Sequence, residues 1–480
     1  MNPEPAKPAL NEKPLSRAES AKRGDPSSPP RARASAFRSR SKYLLLIAFA
    51  LFASSAAPPK TLGRQTAVNP PTTQVSASDT KQMITRYTLS PQREAKARAL
   101  ASVRRRAYLA ATGYGFVVLL VILYWRLGPK FRDLAERTAE RRWFQGLIFA
   151  PLIAVSIDLL MLPVSLYDNW IFRAYGLSVQ SWGSWFWDWM KGELLNIIGA
   201  TIVVSILYWA IREAPRAWWF YFWIMAMVLI LALVFVHPLI IDPMFNKFEP
   251  LQRKDPALTA ELEKLVQRAG QTIPPQRMFW MGASEKTTEL NAYVAGFGAS
   301  KRIVVWDTTI AKMNTPQIVF VAGHEMGHYV LNHIPKGLVL GASGLLVTFY
   351  LGYLLVGWML ARWGTTWGIR NVGDLASYPA LLLVVTILST LGEPIGNTFS
   401  RYFEHQADQY GLEVTHGLTP DSGQVAAQSF NILGDVDLSD PSPHQLEVLL
   451  FYTHPSIPAR IQFALHYNPW GSGRSGEFVP

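Results

Sequence analysis

The chain has no cysteine. Disulfides, thiolate nucleophiles and Cys-ligated zinc are therefore excluded. Charge is scarce as well. Only 17% of the residues are Asp, Glu, Lys or Arg, against about a quarter in ordinary soluble domains. Apolar residues fill the deficit and reach 49%. Tryptophan is abundant: many of the 17 stand near the ends of long apolar runs, as in the aromatic belts of membrane interfaces. A net charge of +12 raises the question of nucleic acid. Much of that excess lies in the N-terminal tail and in short stretches such as Val103–Arg106 that flank apolar segments. Basic flanks are an orientation signal, and no basic face with interleaved aromatics stands apart from them. The expected partner is a lipid bilayer, not nucleic acid.

The 480 residues are too many for one ordinary domain. Residues 1–42, rich in Pro, Ala, Ser, Arg and Lys, read as a disordered basic tail. Tyr43–Ala57 fits either a signal-peptide core or a short first membrane helix. Apolar runs long enough to span follow at 107–125, 143–167, 194–211 and 218–241, making 58–241 an N-terminal membrane domain. Residues 242–480 form a second domain with two more spans, at about 337–360 and 378–391. Its polar part starts with a helix capped by Asp255, with Pro256 at its first position. The stretches RMFWMG and RIVVWDT read as short strands, and residues 291–306 as a hairpin turning near Phe297–Ser300. The next helix is expected to be capped by Thr315. The fold class is thus mainly α: a polytopic membrane helix bundle with a domain containing a small sheet.

That last helix carries AGHEMGHYVLNH, residues 322–333. His324 and His328 are four apart and project from one helical face. This is the H-E-x-x-H arrangement, in which two imidazoles hold a zinc ion and the intervening Glu325 is a general base. Zinc lowers the pKa of water toward about 7, and the carboxylate takes its proton. The longer motif with a third histidine fails, because Leu331 and Ile334 occupy its glycine and histidine positions. On an uninterrupted helix His333 falls near the opposite side from His324, so it reads as a helix-end or interfacial residue. A catalytic zinc takes three protein ligands and keeps one position open. SRYFEHQADQYGLE offers the third. Glu404 can coordinate, and Asp408, on the same face, can accept the spare N–H of a ligand histidine. His405 points elsewhere.

HEMGH followed by EHQAD resembles the M48 metallopeptidases, and among them the multi-pass CAAX prenyl protease 1 type. LPVSLYDNWIFRAYGLSVQSWGSWFWDWMKG, NAYVAGFGASKRIVVWDT and THPSIPARI are similar to further segments of that family, in the same order, over about residues 79–465. The resemblance implies one Zn²⁺ per chain on His324, His328 and Glu404, with Glu325 as base. It implies that His454 stabilises the oxyanion. It also implies that Arg460 supports the site or binds substrate, and that Asn291, Ala292 and Tyr293 form an edge strand for an extended peptide. The substrate it implies is a peptide or protein, prenylated in the family's namesake reaction. A protease for unneeded membrane proteins, or a non-catalytic zinc-bearing membrane chaperone or scaffold, are the alternatives. Glu393 either faces a water-filled cavity or is a buried, paired carboxyl.

Overall fold

In the computed structural model, residues 83–296 and 300–479 are described; the tail and Tyr43–Ala57 lie outside them. Among the described residues, six helices are long and apolar enough to cross a membrane. They are α1 (Pro91–Tyr124), α3 (Arg142–Tyr175), α4 (Trp182–Glu213), α5 (Trp218–Val236, continued to Phe245), α8 (His333–Trp367) and α9 (Tyr378–Thr415). Between the first two lies α2 (Leu127–Thr138).

Each expected apolar run coincides with one of these helices, Trp125 alone falling just past the end of α1, and most of the helices extend beyond the runs. Polar sequence supplies the extensions. Ser90 caps α1 by accepting from Arg93 N, so the basic stretch Val103–Arg106 is helical. The last run continues past Pro394 to Thr415, which places Glu404 and Asp408 on the same helix as a membrane span.

Burial separates the spans. In the apolar window of α9, 50% is covered by protein; in that of α5, only 6%. Most apolar surface of α5 is left for lipid or for the space between helices. The membrane core gathers around Phe149, Tyr208, Ile211 and Ile122. Asp374 is buried there as the partner of Arg132, at 2.5 Å, which ties α2 to the connection between α8 and α9.

The polar part after α5 is built on a four-stranded sheet, β1 (Phe248–Pro250), β2 (Met278–Met281), β3 (Ala292–Ala295) and β4 (Arg302–Trp306), in the order β1-β2-β4-β3. The two strands expected from sequence, β2 and β4, pair in parallel. The expected hairpin is antiparallel β3–β4, with Tyr293 opposite Val304. Helix α6 (Pro256–Arg268) starts at the Asp255 cap, whose carboxylate accepts from Leu258 N at 2.9 Å. Helix α7 (Thr315–Val330) does not start as expected. Its cap is Asn314, not Thr315. The reason is reciprocity: Asn314 accepts from Gln317 N while the Gln317 side chain accepts from Asn314 N, so two otherwise unpaired donors are satisfied at once. The C-terminal part adds α10 (Ser422–Val436), α11 (Gln445–Phe451) and α12 (Ile457–His466).

Helices α7 and α9 touch closely because small residues face each other. A Cβ on Gly327 would meet Cβ of Tyr410 at 3.0 Å, and one on Gly411 would meet the backbone N of His324 at 3.1 Å. Any larger residue would push apart the two helices that carry His324 and Glu404.

Candidate metal centre and active site

Three donor atoms converge between α7 and α9. Nε2 of His324 and Nε2 of His328 are 3.3 Å apart. Oε2 of Glu404 lies 3.3 Å from the first, and Oε1 lies 3.6 Å from the second. Two imidazole nitrogens facing each other this closely have no use for each other as hydrogen-bond partners unless a proton or a cation lies between them. A tetrahedral zinc with bonds of about 2.0–2.1 Å separates its ligands by about 3.3–3.4 Å. Oε2 of Glu404 is buried and accepts no hydrogen bond, a costly state for a carboxylate oxygen without a cation. The donor set, two imidazoles and a carboxylate, suits zinc. The residues present therefore fit the metal.

Electrostatics favours positive charge at the same point. Burial alone would lower the pKa of His324, but Asp408 and Glu404 outweigh it and raise it to about 10. Burial and the neighbouring His324 lower His328 to about 4. The carboxylates of Asp408 and Glu404 thus favour positive charge here, which a divalent cation would supply.

Asp408 is fully enclosed. Its Oδ1 lies 2.8 Å from Nδ1 of His324, a close charged contact rather than a straight hydrogen bond. Arg460, from α12, donates to both oxygens of Asp408, at 2.9 and 2.6 Å. Its guanidinium fork is therefore occupied by Asp408, and Phe430 packs against its face at 4.2 Å. Its pKa is raised, mainly by Asp408 against the opposing effect of burial.

Glu325 follows His324 on α7. Burial pushes its carboxyl up to about 7. It lines a cavity of about 130 Å³ with His324, His454, Arg460, Asn291 and Ala292. His454 sits at the rim, on the loop before α12. Its Nε2 lies 3.2 Å from Oε1 of Glu404 and its Nδ1 is 2.9 Å from the Thr453 hydroxyl. Its side chain is about half exposed, and the burial it has lowers its pKa; the neutral ring carries an N–H that can donate.

Strand β3 pairs on one side only. The Asn291 carbonyl accepts from Trp306 N, at 3.1 Å. In an antiparallel ladder the next residue's N–H and C=O then turn to the open edge, which assigns those of Ala292 and Val294 to that edge. Asn291 is anchored, its N–H donating to Thr309 Oγ1 at 2.9 Å. The Tyr293 side chain is tied to Asp242 at 3.3 Å.

Other sequence expectations resolve simply. His405 points away and packs on Phe463, ring centroids 4.3 Å apart. Glu393 accepts a hydrogen bond from Tyr108. His333 stands at a helix end, as expected, but not on the side away from His324. The helix does not run through it: α7 ends at Val330, and Asn332 adopts the left-handed conformation, φ 57° and ψ 36°. The helix breaks there, and His333 starts α8 with its ring against His328. It is buried, 4% exposed. Its Nδ1 lies 3.1 Å from Nδ1 of His328 and its Nε2 3.2 Å from Oε1 of Gln406. Sequence reasoning missed both His333 and Gln406. The available signal was Asn332, a residue type that tolerates the left-handed region and ends helices.

Comparisons with known proteins agree with this architecture. Residues 80–247 match the family described as CAAX prenyl protease N-terminal, five membrane helices. Residues 252–468 match peptidase family M48. The uncharacterized metalloprotease YhfN of Bacillus subtilis (strain 168) is 32% identical over 380 residues, covering 78% of this chain and 86% of the relative. The CAAX prenyl protease 1 homolog of Dictyostelium discoideum is 27% identical over 309 residues, covering 62% and 70%. The solved structure of S. mikatae Ste24p shares the fold with a TM-score of 0.66 at 21% identity, covering 92% of this chain and all of that one. The chain belongs to peptidase family M48 and is a multi-pass membrane metallopeptidase of the CAAX prenyl protease type.

Proposed function

We propose that this protein is a zinc-dependent endopeptidase that cleaves peptide bonds in lipidated or membrane-associated proteins. The observation that carries the reading is the triangle of Nε2 of His324, Nε2 of His328 and the carboxylate of Glu404, with edges of 3.3, 3.3 and 3.6 Å. Those residues would hold the zinc. When bound, zinc polarises the scissile carbonyl and makes water a competent nucleophile at neutral pH.

The chain's own residues do the rest. Glu325 takes the proton of the attacking water and delivers it to the departing amine; a carboxyl near pKa 7 suits both halves of that task. The Nε2–H of His454 donates to the carbonyl oxygen as negative charge develops there. For that, its contact with Glu404 gives way to one with the substrate. Asp408 holds the His324 ring, and Arg460 holds Asp408. The open groups of Ala292 and Val294 pair with an extended peptide, which brings its scissile bond along β3 toward α7.

The relatives named CAAX prenyl protease 1 homolog motivate prenylated peptides as the first substrates to try. Prenylated and unmodified CAAX peptides, incubated with the protein and analysed by mass spectrometry, test the reading. Cleavage is expected with the wild type and none with Glu325→Gln. Equal cleavage of both peptides would point instead to a membrane-protein quality-control protease. Normal turnover by Glu325→Gln would refute the assigned base.

A further inference from the structure

We propose that His333 is a positioning residue that fixes the ring of His328 through a neutral hydrogen-bonded relay ending on Gln406. The proposal rests on the metal site proposed above. It begins with what His328 must do there. To offer a lone pair from Nε2, a neutral imidazole must carry its proton on Nδ1. That N–H needs an acceptor, because an unpaired buried donor is costly. The atom within reach is Nδ1 of His333, at 3.1 Å. His333 must then accept at Nδ1 and carry its own proton on Nε2. That proton meets Oε1 of Gln406 at 3.2 Å. Gln406 is oriented in turn by its amide, which donates to the Tyr402 hydroxyl at 3.3 Å. Each proton along the chain has one consistent position, and no step needs a charge.

The local structure is built for this contact. Asn332 supplies the left-handed residue that breaks the helix before His333. Phe403 stacks on His333 at 4.7 Å with the planes 16° apart, which holds the ring flat against α9. Phe403 and Gln406 are three apart on α9, so they share a face beside the one that carries Glu404 and Asp408. Groups behind a ligand that set its tautomer and orientation typically change metal affinity 10–100-fold when removed.

Zinc affinity of the full-length protein, measured by competition with a chelating dye, tests the relay without reference to turnover. His333→Phe keeps a ring against Phe403 but removes the acceptor; its dissociation constant is expected to rise about 10–100-fold. His333→Asn can place Oδ1 where Nδ1 was, and should stay within about threefold of wild type. Visible absorption of the cobalt-substituted protein should change in His333→Phe and not in His333→Asn. Melting of the zinc-stripped proteins should be the same for both variants, which separates the relay from packing.

Equal zinc affinity of His333→Phe and wild type would overturn the proposal, as would equal losses in the two variants. A wild type that binds no stoichiometric zinc would sink the metal-site reading first, and the relay with it. Should His333→Phe fail to fold, Gln406→Leu decides: a weaker zinc affinity supports the relay, and an unchanged one overturns it.

Discussion

Two histidines one helical turn apart aim the same nitrogen at the same point, yet the protein holds them in different ways. Behind His324 stands a charge: Asp408, itself clamped by Arg460. Behind His328 stands a neutral chain of His333 and Gln406. Both arms run from α7 to α9, whose adjacent faces supply Asp408 to one and Gln406 to the other. The difference is energetic. A buried carboxylate strengthens the imidazole as a donor but must be matched by a buried cation, and removing either partner strands the other. The neutral arm fixes direction without adding charge, and breaking it leaves only an unpaired dipole. The metal site thus gains basicity from one side and geometry from the other.

Substitutions can break this comparison or sharpen it. The largest effect on turnover is expected from Glu325→Gln, which touches neither arm. Product formation should fall about 10²–10⁴-fold, the usual worth of a general base, while one zinc per chain remains by metal analysis. Next is Asp408→Ala, which strands Arg460. Denaturation should show a loss of about 3–5 kcal/mol, with Asp408→Leu plus Arg460→Met recovering much of it. If the single change proved as mild as a break in the neutral arm, the distinction between the arms would fall. Gly327→Ala should cost about 1–3 kcal/mol by forcing α7 from Tyr410, loosening both arms together. The smallest effect belongs to Asn332. Asn332→Val should cost about 1–2 kcal/mol by straining the left-handed residue that precedes His333, and Asn332→Gly should cost less; thermal melting separates them.

Much of this was legible in the sequence, for reasons particular residues make clear. Apolar runs of span length and the Asp255–Pro256 helix start are local signals, and the helices formed where those signals stand. His324, Glu325 and His328 share a helix turn, so spacing alone relates them. Glu404 and Asp408 required a second helix, but their own spacing marked the face that meets the first. An ideal helix carried through residue 332 places His333 on the far side of α7; one left-handed residue brings its ring onto His328 instead. The Asn314 cap was missed by one position, since Thr315–Pro316 looks like a helix start until Gln317 is seen to answer Asn314. Parallel pairing of β2 with β4 is a long-range choice that neither strand's sequence encodes by itself.

X-ray absorption at the zinc edge of the purified full-length protein tests the central claim most directly. The account expects one zinc per chain, bound at about 2.0–2.1 Å by nitrogen and oxygen donors, with the outer-shell scattering of two imidazoles. A first shell requiring three or more imidazoles, which would bring His333 or His454 onto the metal, would contradict it. So would the absence of stoichiometric zinc.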